Sequence, residues 1–254
     1  MIFLTGDTHG HIDVQKVFSF YQNYKDKELT KDDYLIVAGD FGFIWDEQYR
    51  TDIEKLGQFN ITFLFIDGNH ENFDILNSLP VTEWHGGKVH RISDNVIHLM
   101  RGQIFDIEGN TFFTFGGAES VDKEGREEGI SWWPTEVPSE AEFEEAKANL
   151  GRVGNAVDYI ITHNINTSAL THRESPMSVY RYESSATSDM LEYFEHTVAY
   201  KVWFFGHYHF DARIHISEHR RHLALIKNRI KQDISARAHD RRTSLKTQSY
   251  LLNR

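Results

Sequence analysis

Six short apolar segments, Ile2–Thr5, Tyr34–Ala38, Thr62–Ile66, 112–115, Tyr159–Thr162 and Val202–Phe205, are rich in β-branched and aromatic residues, and each is followed at once by Gly, Asp or His. They read as buried strands. Helical spacing lies between several of them: Ile12, Val17 and Phe18; Ile53, Leu56 and Phe59; Phe143, Ala146 and Leu150. The third helix has a marked start, because Pro138 is followed by Ser139 and Glu142 in capping-box spacing. A further helix is expected over 188–196. Strands alternating with helices predict an α/β fold whose sheet is covered by helices. In such folds ligand sites gather beyond the carboxyl ends of the strands.

What stands at those ends is chemically selective. The chain reads Gly6-Asp7-Thr8-His9, Gly39-Asp40, Gly68-Asn69-His70-Glu71, Thr162-His163 and Gly206-His207-Tyr208-His209. Carboxylate and imidazole together suit borderline divalent ions such as zinc, manganese and iron. Two such ions clamp the attacking and leaving oxygens of an in-line displacement and make hydroxide accessible at neutral pH. A site of that kind needs a bridging carboxylate, and Asp40, alone after the central strand, is the choice for it. If the loop backbone is extended, residues i and i+2 point the same way, so Asp7 with His9, and His207 with His209, each present two side chains to one cavity. Asn69 adds a neutral carbonyl oxygen and His163 completes the ligand set of the second ion. His70 belongs to no ligand pair and is expected to protonate the leaving oxygen, a task suited to an imidazole. Glu71 caps the following turn or orients the loop. His11, His85, His90 and His98 lack this context and are read as structural or surface residues.

Composition narrows the class. At 254 residues with 40% apolar content the chain is long enough for one large domain with a sizeable core. It has no cysteine, which excludes a disulfide framework, a zinc ribbon and a thiol nucleophile. No apolar run approaches the roughly 20 residues of a membrane span, and no leader precedes the first motif, so a cytoplasmic location with no membrane partner is expected. The net charge of −11 is unevenly spread: residues 218–254 hold ten basic and three acidic residues, leaving −18 for 1–217. A boundary near 217 is expected, with 1–217 as the catalytic domain and 218–254 as a basic tail. The tail is open to three readings: an amphipathic helix through Leu223, Ile226, Ile230 and Ile234 packed on the acidic body, a nucleic-acid or polyanion contact, or a disordered extension. Within the polar segment 119–137, Ser131-Trp132-Trp133-Pro134 reads as a packing anchor, with a substrate rim as the alternative.

The ordered set GDxH, GD, GNHE, TH, GHxH, spanning residues 5–209, resembles the calcineurin-like metallophosphoesterase superfamily, in particular small prokaryotic and phage-type members. The resemblance implies a four-layer α/β/β/α sandwich of two mixed sheets with a dinuclear centre at one sheet edge. It places Asp7, His9, Asp40 and His209 on one ion, and Asp40, Asn69, His163 and His207 on the other, with His70 as the acid. Manganese is the expected metal, with iron, zinc or nickel as alternatives. The implied activity is hydrolysis of a phosphomonoester or phosphodiester by in-line attack of a bridging hydroxide. The other readings are a binding or scaffold module of the same fold, and a nuclease-like phosphodiesterase using the basic tail.

The sequence departs from the superfamily's protein phosphatases in its second motif, where GDxxDRG is replaced by Gly39-Asp40-Phe41-Gly42-Phe43-Ile44-Trp45. The Asp that would orient the catalytic histidine and the Arg that would grip phosphate are both absent. A small-molecule or nucleotide substrate is therefore favoured over a phosphoprotein. Asp46 and Asp67 are the candidates, on sequence proximity, to support His70. Asn164-Ile165-Asn166 also differs from the loop that usually follows the TH motif.

Overall fold

The computed structural model describes residues 1–24, 28–172, 177, 183–216 and 221–225. Strands β1 (Ile2–Thr5), β2 (Tyr34–Ala38) and β3 (Thr62–Ile66) run parallel in one sheet, which continues through β6 (Val96–Leu99), β5 (Gly87–Ser93) and β4 (Val81–Trp84). The second sheet has the order β11 (Ala212–Ile216), β12 (Arg221–Leu225), β10 (Val202–Phe205), β9 (Tyr159–Thr162), β8 (Asn110–Phe115) and β7 (Gln103–Ile107). Its middle four strands are parallel and its edges antiparallel, so both sheets are mixed.

Burial on both faces explains why these strands are apolar at consecutive positions. Ile2, Leu4, Ile36, Leu64 and Ile66 of the first sheet pack against Phe105, Phe112, Ile161 and Phe204 of the second. The alternate residues Phe3, Leu35, Val37, Phe63 and Phe65 face Val17 and Phe20 of α1 (Val14–Asn23), Ile53 and Leu56 of α2 (Tyr49–Gly57) and Leu76 of α3 (Phe73–Ser78). On the far side Phe113, Phe115, Trp203 and Phe205 are covered by Ala146 and Leu150 of α4 (Glu140–Arg152), by Ala169 and Leu170 of α5 (Thr167–Thr171), and by Leu191 and Phe194 of α6 (Ala186–Thr197). The result is the four-layer α/β/β/α sandwich.

The expected capping box is present: Ser139 Oγ accepts from Glu142 N and the Glu142 carboxylate accepts from Ser139 N. The apolar face expected for α1 is different, because Ile12 lies before the helix and is 82% exposed, and Val17 pairs inward with Phe20 rather than with Phe18. Beyond the boundary expected near 217, β12 inserts between β11 and β10, so Leu223 lies in a strand, unlike the amphipathic-helix reading of the tail. Backbone pairing with the two preceding strands decided that, whereas helical spacing is a signal read within one segment. The rest of the basic tail, 218–220 and 226–254, lies outside the described residues.

Parallel register sets the site's place. Thr5 pairs with Val37, Ala38 with Ile66 and Phe205 with Thr162, so the motif-bearing strand ends within each sheet stop level with one another. Gly206 N donates to His163 O at 3.1 Å within the second sheet, and His163 Nδ1 reaches Ala38 O of the first at 2.8 Å.

Candidate metal centre

The glycines that open three of the motifs are explained by what stands against them. A Cβ on Gly39 would lie 2.1 Å from His163 Nδ1, one on Gly68 2.1 Å from Asp40 Oδ1, and one on Gly206 2.4 Å from Ala38 O and 3.0 Å from Asp7 Oδ2. Each missing side chain leaves room for a neighbouring loop to close.

The backbone of these loops is not extended, and the i,i+2 argument fails in that form. Asp7, His9, Asp40, His207 and His209 have φ of 52°, 45°, 51°, 70° and 56°, the left-handed region that costs a non-glycine residue about 1–2 kcal/mol. Such strain persists where surrounding bonds over-determine the conformation. Here Asp7 N donates to Gly39 O, His9 N to Asp40 O and Gly10 N to Phe41 O at 2.8–3.0 Å. Thr8 Oγ1 donates to Phe41 O, and Lys16 of α1 reaches the carbonyls of Gly6 and Asp7. Buried Glu71 accepts from Phe41 N at 2.7 Å and Gly42 N at 3.2 Å. It therefore orients the loop after Asp40, while Asn72 caps α3 by accepting from Ile75 N. Burial, with the nearby Asp40 charge adding to it, pushes the Glu71 carboxyl up to about 8.

Ligand atoms of Asp7, His9, Asp40 and His209 all lie within 4.8 Å of one another. His9 Nε2 is 3.2 Å from Asp40 Oδ2, and His209 Nε2 is 3.5 Å from Asp7 Oδ1. On the other side of Asp40, His163 Nε2 is 3.4 Å from Oδ1 and 3.1 Å from Asn69 Oδ1. The His207 ring centroid lies 5.0 Å from that of His163, and His207 N donates to Asp7 Oδ1. All seven predicted ligand residues thus converge, and Asp40 faces both groups. Its Oδ1 also accepts from His70 N at 2.8 Å.

The donor set fits divalent cations. His163 Nδ1 donates to the Ala38 carbonyl, so in the neutral ring Nε2 would carry the lone pair, and it points at Asn69 and Asp40. His9 Nδ1 lies 3.4 Å from Asp13, leaving Nε2 toward the site. Asp7 Oδ2 is buried without a hydrogen-bond partner. Asp40 Oδ2 also lacks hydrogen-bond geometry, and its one close polar contact is the His9 ring. Burial pushes Asp7 up to about 6, with His163 opposing and Asp40 reinforcing the shift. Burial acts to lower His163, but the charge and hydrogen bond of Asp40, the Asp7 charge and the Ala38 carbonyl together outweigh it and raise the imidazole to about 9. His207 is pushed down to about 3 by desolvation and by positive His163. A cation at the centre would reverse this logic by favouring ionised carboxylates and neutral imidazoles.

His70 and His9 open onto a cleft of about 560 Å³ lined also by Ile12, Phe43, Trp45, Asp46 and Arg126. Neither aspartate proposed to support His70 does so. Asp67 is buried against Arg101, with Nε and Nη2 at 2.8 and 2.6 Å, and against His98 Nε2 at 3.2 Å; Asp46 accepts from Gln48 N. Among the described residues no hydrogen bond is made to the His70 ring. His98 and His90 are buried at 3.1 Å from each other, His11 pairs with Asp52, and His85 sits in the β4–β5 turn, all outside the centre. Trp133 is the expected anchor: it is buried, donates to Asp74 at 2.9 Å and stands edge-on to Trp45. Arg126, Asp13 and Lys16 carried no signal in the sequence, since each acts across a loop or helix turn with no motif around it.

The model of the calcineurin-like phosphoesterase family matches residues 1–211. The chain belongs to that family. In general terms this calcineurin-like phosphoesterase is a metal-dependent phosphoesterase. No curated protein matches the sequence. Among solved structures, it is similar to the phosphopantetheinyl hydrolase PptH of Mycobacterium tuberculosis, at 16% identity, TM-score 0.42 and 89% coverage of both chains. It is also similar to the sulfate thiohydrolase SoxB of Thermus thermophilus in complex with glycerol, at 9% identity and TM-score 0.41; 89% of this chain covers 51% of that one. No helix among the described residues of this calcineurin-like phosphoesterase is long and apolar enough to cross a membrane.

Proposed function

We propose that the protein hydrolyses a small phosphate ester at a dinuclear centre in which Asp40 bridges two divalent ions. The position of Asp40 carries this reading: one carboxylate oxygen faces His9 and the other faces His163, so one buried side chain serves two donor groups. Asp7, His9 and His209 would hold one ion, and Asn69, His163 and His207 the other. Bound there, two ions supply Lewis-acid charge for phosphoryl oxygens and a lowered water pKa. The chain's own residues do the rest. Asp13 and the Ala38 carbonyl fix two imidazoles in orientation, and Glu71 holds the loop that presents Asp40. His70, half-buried at the cleft edge, is positioned to hand a proton to the departing oxygen. Burial lowers its affinity for that proton, which favours giving it up, while the Asp40 charge opposes the shift. A 560 Å³ cleft matches a small molecule or nucleotide better than a protein side chain presented on a surface.

The test is turnover of p-nitrophenyl phosphate and bis-p-nitrophenyl phosphate by metal-stripped protein before and after adding Mn²⁺, with Asp40→Ala in parallel. Mn²⁺-dependent hydrolysis that disappears in Asp40→Ala is expected. Undiminished activity in that variant refutes the bridge. Silence on both esters with two ions bound per chain favours a binding module.

A further inference from the structure

The second motif lacks the arginine that grips phosphate in related phosphatases, yet the folded chain brings one to the cleft from another segment. Arg126 lines the same cavity as His9 and His70, and among the described residues it is the only lysine or arginine there. Its side chain is 23% exposed and held from behind. Nε and Nη2 donate to the two oxygens of Asp122 at 2.8 and 2.7 Å, and Nη1 donates to Ser131 O at 3.0 Å. A guanidinium has five N–H groups, so two remain without a protein acceptor among the described residues. Ser131 is fixed in turn, its Oγ accepting from Glu127 N. The segment is tied to the candidate metal centre as well: Asn69 Nδ2 donates to Ser120 Oγ, and Ser120 donates through N and Oγ to buried Glu136.

A surface ion pair has no need of this arrangement. A guanidinium with three N–H groups engaged and two without an acceptor among the described residues, lining the same cleft as the histidine proposed to protonate the leaving group, is pre-organised for an oxyanion.

Resting on the function proposed above, we infer that Arg126 is a phosphate-binding residue that contacts a non-bridging oxygen of the substrate and selects a dianionic phosphomonoester over a monoanionic diester. The extra fixed positive charge acts most on the ester with the extra negative charge.

The experiment uses the full-length Mn²⁺-loaded protein and titrates inorganic phosphate by calorimetry, with KM and kcat on both nitrophenyl esters. Arg126→Met is expected to weaken phosphate binding about 10- to 100-fold, the range of one charge-assisted hydrogen bond. It should raise KM for the monoester more than for the diester, with metal content and melting temperature unchanged. Arg126→Lys should recover part of the affinity, and Asp122→Asn, which frees the guanidinium but keeps its charge, should fall in between. Phosphate affinity within twofold of wild type in metal-replete Arg126→Met overturns the inference while leaving the function standing. Loss of metal or of the folded state in Arg126→Met and Arg126→Lys alike overturns it in favour of a structural role. If the loaded wild type neither binds phosphate nor turns over, the proposed function fails, and the inference with it.

Discussion

Replacing Gly39 by alanine tests the packing on which the centre depends. The added Cβ would meet His163 Nδ1 at 2.1 Å and Cγ at 2.4 Å, at a backbone φ of +85°. The conformation alone costs about 1–2 kcal/mol for a residue with a side chain. The ring cannot retreat cheaply: His163 is fully buried, and moving it breaks the 2.8 Å bond to Ala38 O and the 3.1 Å contact with Asn69. Stranding two buried polar groups adds about 1–3 kcal/mol each. The sum, about 3–8 kcal/mol, compares with total stabilities of about 5–15 kcal/mol.

Two controls separate the terms. Gly109 has a φ of +71° with nothing within 4 Å, so Gly109→Ala should lose only the backbone share, about 1–2 kcal/mol. Gly151, helical and open, should gain up to about 1 kcal/mol as alanine. Urea unfolding of the three variants gives the energies, and elemental analysis after Mn²⁺ reconstitution gives ions per chain. Gly39→Ala should fall well below Gly109→Ala and hold less metal. If the two match within about 1 kcal/mol, with equal metal, close approach of the loops is not what requires glycine.

Three further outcomes are expected. His70→Ala should slow hydrolysis of alkyl phosphates far more than of p-nitrophenyl phosphate, whose anion leaves without a proton; equal losses on both remove His70 as the acid. Arg101→Met leaves Asp67 buried without its partner and should cost about 3–5 kcal/mol in urea unfolding, with part of the loss recovered in the double variant with Asp67→Asn; a loss under about 1 kcal/mol would show that the pair is not desolvated. His90 is pushed down to about 4 by burial and by neighbouring His98, below its unfolded value of 6.5. A depressed base contributes stability above pH 6.5 that is lost as pH falls through 4, so His90→Gln should flatten the decline in unfolding free energy between those pH values. An unchanged slope counts against it.

Much of the fold was legible because buried parallel strands are written as consecutive apolar residues, and five motif segments stood at their ends. The strands β4 to β7 were not foreseen. β4 is largely exposed and β5 only partly buried, so their patterning is weak, and the turn at His85-Gly86 was read only as a surface histidine. The convergence of Asp7, His9, Asp40, Asn69, His163, His207 and His209 was expected from residue type and order. The reason given for their pairing was not the one found, since left-handed backbone and not alternation turns these side chains inward. Asp67 was considered for His70 because it is three residues away, but Arg101 takes its Oδ2 and His98 its Oδ1.

The order of residues determined which chemical groups stand at the strand ends, since strand propensity and the small residues that end a strand are local properties of the chain. Only the tertiary structure decided which of those groups meet, why glycine must precede them, that β12 joins the second sheet, and that Arg126 stands in the cleft. Each of these depends on contacts between separate segments, most of them distant along the chain, where loop closure and excluded volume, rather than the pattern within any one segment, select the arrangement.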